Sequence, residues 1–330
     1  MNDAARVDIV MSTLNEERDI GEALDAALRQ TVPVAVTVVD GGSRDATVSI
    51  LRARAAGDGR LTVIADGVPR TLPAALNVAL ERTHRPFVAK VDARTFVADD
   101  FIERALAVLD EPANDDVACT GGQPEQFGTT PFGEGVAHAR ASCYGVGASG
   151  YADGRERAEV SSVQCGIYRR SALERVGSFD ATMQFGEDEE LNWRLREAGL
   201  RIVRDRAIRL AYATRPTWSA AFRQYRNYGR ARVAVATKHP AFLRPHHLAP
   251  SAALAGIAAL ALAAPFSPAA RIGFAGAIAA YAAGATIAAF AASKNAATAA
   301  RIVAAFTALH AGYGIGLAEA SARNAVRRLR

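Results

Sequence analysis

Apolar and polar positions alternate in short blocks along the first 110 residues. Val7–Met11, Val34–Val39, Leu61–Ala65 and Phe87–Val91 are apolar runs of five or six residues, the length of buried strands. Stretches of helical period lie between and after them. Glu16–Gln30 sets Ile20, Leu24, Ala27 and Leu28 on one face, a helix follows Ser43 as its N-cap, and Leu72–Arg82 and Asp99–Leu109 read as two more. This alternation predicts an α/β fold, with a mostly parallel sheet covered by helices on both faces.

The pattern changes near His247. No Asp or Glu then occurs before Glu319, and 248–266 and 272–292 are apolar stretches, each about the length that spans a bilayer's hydrocarbon core. A shorter third candidate, 302–318, contains His310 and several glycines. Buried helices of a large soluble protein are the alternative, because alanine-rich segments insert only weakly. Arg230, Arg232, Lys238 and Arg244 precede the first span, so the positive-inside rule places 1–247 in the cytoplasm at the plasma (inner) membrane. Arg323, Arg327, Arg328 and Arg330 ask for the same side, which two spans satisfy and three do not. Polar Met1–Arg6, followed by an apolar run only a strand long, does not read as a signal peptide. In 217–247, Trp218, Phe222, Tyr225 and Tyr228 recur at helical spacing, either as an interfacial aromatic and basic helix or as one packed on the preceding domain. The expected domains are therefore 1–247, which carries the chemistry, and a membrane-associated helical tail, 248–330.

Composition agrees with this division. The 330 residues are 50% hydrophobic and 22% charged, too apolar for a disordered chain. The net charge is +5, but seven of the 39 lysines and arginines follow residue 250 with one of the 34 acids, leaving 32 bases against 33 acids before it. The basic excess belongs to the tail, and a nucleic-acid-binding body is not expected. Three scattered cysteines, Cys119, Cys143 and Cys165, fit neither a disulfide scaffold nor a four-cysteine zinc site.

Ligands of open α/β sheets bind beyond the carboxyl ends of the strands. Three polar clusters belong there: Ser12-Thr13-Leu14-Asn15-Glu16-Glu17, Asp40-Gly41-Gly42-Ser43 and Asp92-Ala93-Arg94. Each alone is as much a cap or a turn as a site; what matters is that all three fall at one sheet edge. The first cluster has no glycine and two acids where a dinucleotide fold needs G-x-G-x-x-G, and a Walker A sequence is absent. A soluble NAD oxidoreductase and an ATP-dependent enzyme are disfavoured accordingly.

These clusters, with Val38–Thr47, Ala74–Asn77, Gly166–Arg170, Val176–Asp180, Gly186–Glu190 and Phe222–Tyr225, occur in an order that resembles inverting glycosyltransferases of family 2. Within that family the chain is most similar to the succinoglycan-biosynthesis glucosyltransferase type, which also carries a hydrophobic C-terminal tail. The resemblance covers roughly residues 7–250. It implies the GT-A fold, a Rossmann-like mixed sheet with helices on both faces, here followed by C-terminal hydrophobic helices. It also implies a nucleotide-sugar donor, a UDP-sugar, whose uracil meets Asp40 and whose nucleotide lies under Thr13 and Glu16. Asp92 matches the first acid of the DxD-type motif, beside the ribose and a divalent cation, Mn2+ or Mg2+. Asp188 matches the general base, with Glu187 beside it; an acidic first turn matched to a helix dipole is the simpler reading of Glu187–Glu190. Asn77 falls at the family's nucleotide-side asparagine, and Arg70 stands in for the basic residue that usually precedes it, either reaching the phosphates or solvated on its loop.

One departure bears on the cation. Where the motif's second metal-side residue belongs, this chain has Arg94, which cannot ligate a metal. Either Asp92 alone holds the ion, or Arg94 pairs with the diphosphate and weakens the requirement for a cation, or activity is lost. Gln224-Tyr225-Arg226-Asn227-Tyr228 lacks the tryptophan and arginine spacing of the Q-x-x-R-W signature of processive synthases, so addition of a single sugar is expected. The expected acceptor is a polyprenyl- or other lipid-linked glycan at the membrane face, in exopolysaccharide or cell-surface glycan synthesis. The alternative is a catalytically weakened membrane protein that only binds nucleotide sugar.

Overall fold

The computed structural model describes residues 5–146 and 155–328, which divide into two compact units. The first unit comprises residues up to 125 and 153–212, and the second 126–152 and 213–330.

In chain order the elements are β1 (Val7–Thr13), α1 (Ile20–Leu28), β2 (Val34–Asp40), α2 (Thr47–Ala55), β3 (Leu61–Ile64), α3 (Leu72–Leu80), β4 (Phe87–Lys90), β5 (Thr95–Val97), α4 (Phe101–Leu109), β6 (Val117–Gly121) and β7 (Pro124–Phe127). There follow α5 (Pro131–Ala141), α6 (Cys143–Val146), β8 (Arg157–Glu159), β9 (Ile167–Arg169), α7 (Arg170–Val176), α8 (Glu187–Glu197), β10 (Arg201–Asp205) and β11 (Leu210–Ala213). The helical segment comprises α9 (Trp218–Lys238), α10 (Pro245–Ala263), α11 (Pro268–Ala292) and α12 (Ala296–Arg328).

The main sheet of the first unit has the order β3-β2-β1-β4-β9-β6-β10-β8. Its first four strands are parallel, as the alternating pattern predicts. β9 runs antiparallel to both β4 and β6, so the whole sheet is mixed. Successive side chains of β1 face opposite ways. Ile9 and Met11 pack with Leu24, Phe101 and Ile102 on one face, and Val10 packs with Leu76, Leu173 and Leu191 on the other.

Two boundaries differ from the sequence reading, for one local reason. The first helix begins at Ile20, not Glu16: residues 17–19 form a turn, and the Glu16 and Glu17 N–H groups are tied to the side chains of Thr47 and Asp45 in the loop after β2. Ser43 does not cap α2, which begins at Thr47; its hydroxyl donates to Asp40 Oδ1 at 2.5 Å and accepts the Asn15 N–H at 2.8 Å. The loops after β1 and β2 are thereby fastened to each other.

In the second unit α12 lies along α9. Trp218 Nε1 donates to Thr307 Oγ1 at 3.0 Å, Arg226 and Arg230 both donate to Glu319 at 2.5 and 2.6 Å, and Asn324 donates to Thr237 at 2.6 Å. Glycines permit the approach. A Cβ on Gly316 would stand 1.9 Å from the Arg226 carbonyl oxygen, and one on Gly229 would stand 2.2 Å from that of Tyr313. Tyr225 joins Ile302, Phe306, Leu309 and Val136 in a separate apolar core. Segment 217–247 therefore belongs to the helical unit, and the units part at 126, 153 and 213 rather than at 247.

Helices α10, α11 and α12 are each long and apolar enough to cross a membrane, by length and composition. They differ in surroundings: α10 buries no residue, α11 buries Ala285 and Ala289, and half of the apolar window of α12 is buried in protein. Of the basic residues near the C-terminus, Arg330 lies outside the described residues.

Candidate active site

The site is built at the carboxyl ends of β1, β2 and β4. Asn15 Oδ1 accepts from the Arg44 N–H at 2.8 Å, the Glu16 N–H donates to Thr47 Oγ1 at 2.9 Å, and Glu17 Oε2 accepts from the Ala46 N–H at 2.9 Å. These bonds lace the first two strand-end loops into one rigid floor. Asp40 is buried in it, with Oδ2 accepting the N–H groups of Gly42 and Ser43, both at 2.9 Å. With the Ser43 hydroxyl, three of the roughly four acceptor positions of this carboxylate are filled, leaving one for a ligand. Gly42 has φ +98°, so the turn itself calls for glycine there. Beside Asp40, the buried Thr13 Oγ1 has no hydrogen-bond partner among the described residues. An orphaned buried hydroxyl is costly, and one at a strand end fits a ligand that supplies the missing partner.

Three other residues placed at the site by sequence are engaged with protein. Arg70 grips Asp66 through two contacts of 2.6 Å, which hold the Asp66 carboxyl well below its usual range. Asn77 donates to the Phe179 carbonyl at 2.7 Å and accepts the Phe179 N–H at 3.1 Å, clasping α3 to a loop about a hundred residues later. Arg94 donates to Asp19 at 2.7 Å and to Glu16 at 3.3 Å, so its guanidinium braces the Glu16 carboxylate.

Asp92, Glu187 and Asp188 do converge, around a residue that sequence reasoning missed. Lys90, the last residue of β4, places Nζ 3.1 Å from Asp92, 3.2 Å from Glu187 and 4.0 Å from Asp188. Its side chain is 5% exposed. Burial alone pulls its pKa down, but Asp92, Glu187 and Asp188 overrule this and push it well above the ordinary lysine value. The signal was present in Val88-Ala89-Lys90-Val91-Asp92: a lysine interrupts a buried strand two residues before the motif acid, on the same face.

Glu187 and Asp188 open α8 behind Gly186, whose φ of 80° turns the chain into the helix. The acidic run divides its labour. Glu190 pairs with Arg194, which also binds the carbonyls of Val176, Gly177 and Ser178. Glu187 is buried against Lys90, and burial, opposed by Lys90 and helped by Asp188, pushes its pKa up to about 7. Asp188 keeps 30% of its side chain exposed, so it is the carboxylate that can meet an incoming hydroxyl. Behind this cluster the Cys165 thiol is pushed up to about 12 by burial and is inert as a nucleophile.

The donor set suits a hard divalent cation. Cations of the Mg2+ type take one or two carboxylates and complete their shell with water and phosphate oxygens. Asp92, 30% exposed at the strand end, is such a carboxylate. No group of three or more His, Cys, Asp or Glu able to hold a metal occurs among the described residues.

A half-parallel mixed sheet with acids at its strand ends and an acidic turn opening α8 agrees with the GT-A fold that the sequence resemblance implies. The sequence profile of glycosyl transferase family 2 matches residues 8–177, and the chain belongs to that family. It is 30% identical over 243 residues to the succinoglycan biosynthesis protein ExoA of Rhizobium meliloti (strain 1021), a match that covers 71% of each chain. ExoU of the same organism is 29% identical over 213 residues, 58% of this chain and 57% of that one. Among solved structures, the mannosyltransferase PcManGT of Pyrobaculum calidifontis, in complex with GDP-Man and Mn2+, shares the fold at a TM-score of 0.62 and 23% identity, over 93% of this chain and 88% of that one. The chain is a glycosyltransferase of family 2.

Proposed function

We propose that this enzyme moves one sugar, with inversion, from a UDP-sugar to a lipid-linked glycan at the membrane face, in exopolysaccharide or cell-surface glycan synthesis. The observation that carries the reading is the convergence of Asp92, on the donor side, with Asp188, on the acceptor side, around one buried lysine. Asp188 accepts the proton of the acceptor hydroxyl as its oxygen attacks the anomeric carbon, and the nucleoside diphosphate leaves from the opposite face. A divalent cation, when bound, offsets charge on that leaving group. Asp40 and Thr13 read the base side, where one carboxylate acceptor position and one unpaired hydroxyl remain for the nucleotide. A protein that only bound nucleotide sugar would have no use for Asp188.

Calorimetry with the detergent-purified protein tests the donor class, using UDP, GDP, dTDP and NAD with and without Mn2+. UDP is expected to bind selectively. Asp40→Asn should weaken it at least about tenfold, the effect of losing one charged hydrogen bond. Equal affinity for GDP would overturn the choice of base.

The membrane reading is that α10 and α11 form a two-span hairpin, with the catalytic unit and the C-terminal stretch both in the cytoplasm. Beyond residue 212 the chain has fourteen lysines and arginines against one acid, Glu319. That acid pairs with Arg226 and Arg230 of α9, which precedes the hairpin. A helix fastened along α9 from Thr307 to Asn324 stays on the side of α9, so α12 is read as a buttress despite its apolar length. Fluorescent-protein and alkaline-phosphatase fusions after Arg330 check this. Fluorescence without phosphatase activity is expected, and the reverse would make α12 a third span.

A further inference from the structure

Lys90 has no role in the reading above beyond marking where the acids meet, yet its placement is the least ordinary feature of the site. A lysine is almost never fully buried unless it is paired. This one ends a central strand, and its Nζ stands 3.1 Å from Asp92 and 3.2 Å from Glu187, with Asp188 at 4.0 Å. The three acids come from two distant segments, one carrying the donor-side carboxylate and one the acceptor-side base. Without a cation between them they would repel across a poorly solvated gap. Arg94, the other cation near this strand end, turns to Asp19 and Glu16.

We propose that Lys90 is the internal counter-ion of the catalytic centre, a positioning residue that locks Asp92 and the Glu187–Asp188 turn into one arrangement and weakens the grip of Asp92 on a divalent cation. This rests on the donor reading above, with Asp92 as the cation's protein ligand. A metal ion approaching that carboxylate meets an ammonium already bonded to it, and two positive centres a few ångströms apart oppose each other strongly where little water screens them. The ion is then held mainly by diphosphate oxygens, and the protein contributes a pre-set geometry in place of a metal cage.

The opposed directions of two readouts make the test specific. Mn2+ binding to the full-length protein in detergent, in the presence of UDP, is followed by electron paramagnetic resonance, and sugar transfer is measured in parallel. Lys90→Met should bind Mn2+ about tenfold more tightly or better. The same variant should lose at least about a hundredfold in transfer, because the acids are no longer held in register. Lys90→Arg keeps the charge and should return Mn2+ affinity to within about threefold of wild type with part of the activity. General damage to the fold would weaken both readouts together. Unchanged or weaker Mn2+ binding in a Lys90→Met protein that keeps the wild-type Tm and UDP affinity would overturn the proposal alone. A gain in Mn2+ affinity in Lys90→Met that survives the addition of Asp92→Asn would overturn the placement of the cation and the proposal with it.

Discussion

Asp188→Asn is expected to lower kcat for sugar transfer about a thousandfold while leaving UDP affinity within about threefold of wild type. The magnitude is that of a general base removed from a step that cannot proceed without proton transfer. Asparagine keeps the shape of the side chain and its bond to the Glu189 N–H, so the opening turn of α8 persists. Single-turnover transfer and UDP calorimetry on the same sample separate the chemical step from binding. The neighbouring Glu187→Gln should cost far less, since Glu187 is buried on Lys90 and less open than Asp188 to an incoming hydroxyl. Loss of UDP binding in Asp188→Asn, or transfer retained within about tenfold, would move the base elsewhere.

The second large effect concerns stability. Gly316→Leu should lower the apparent Tm of the detergent-purified protein by about 6 °C or more, the shift expected for about 3 kcal/mol in a chain of this size. The new Cβ would stand 1.9 Å from the backbone oxygen of Arg226, and backbone, unlike a side-chain tip, cannot step aside cheaply. Gly256→Leu on α10 is the matched control, because nothing lies within 4 Å of a Cβ there. It should leave Tm within about 1 °C, as surface changes do. Equal effects at the two positions would mean that α9 and α12 do not pack as described.

Legibility of the fold followed how local its cause is. The parallel strands β1 to β4 could be read because each apolar run is five or six residues long and bounded by polar turns. The start of α1 could not, since the turn before it is held by bonds from Asn15, Glu16 and Glu17 to a loop about thirty residues later. Site residues divide in the same way. Asp92 and Asp188 were legible through their motifs, and the structure brings them together. Asn77 and Arg70 carried the right residue types, but their partners, Phe179 and Asp66, decide what they do. A sequence gives the identity of a side chain without its partner. Lys90 was passed over for the converse reason: a lysine is counted as solvated until three acids from elsewhere are seen around it.

The clasp between Glu319 and the two α9 arginines has a consequence for how the chain is made. The partners are separated by about ninety residues, and the whole α10–α11 hairpin is synthesised between them. When α9 leaves the ribosome, Arg226 and Arg230 have no acid to meet, and Tyr225 has no α12 to cover it. On the proposed two-span topology, the hairpin enters the bilayer before the helical unit can close. Nascent α9 waits during that interval as a cationic, amphipathic helix of a kind that anionic headgroups retain at the surface. Arrival of Glu319 ends the wait on that topology, because its pairing with Arg226 and Arg230 closes α12 onto α9.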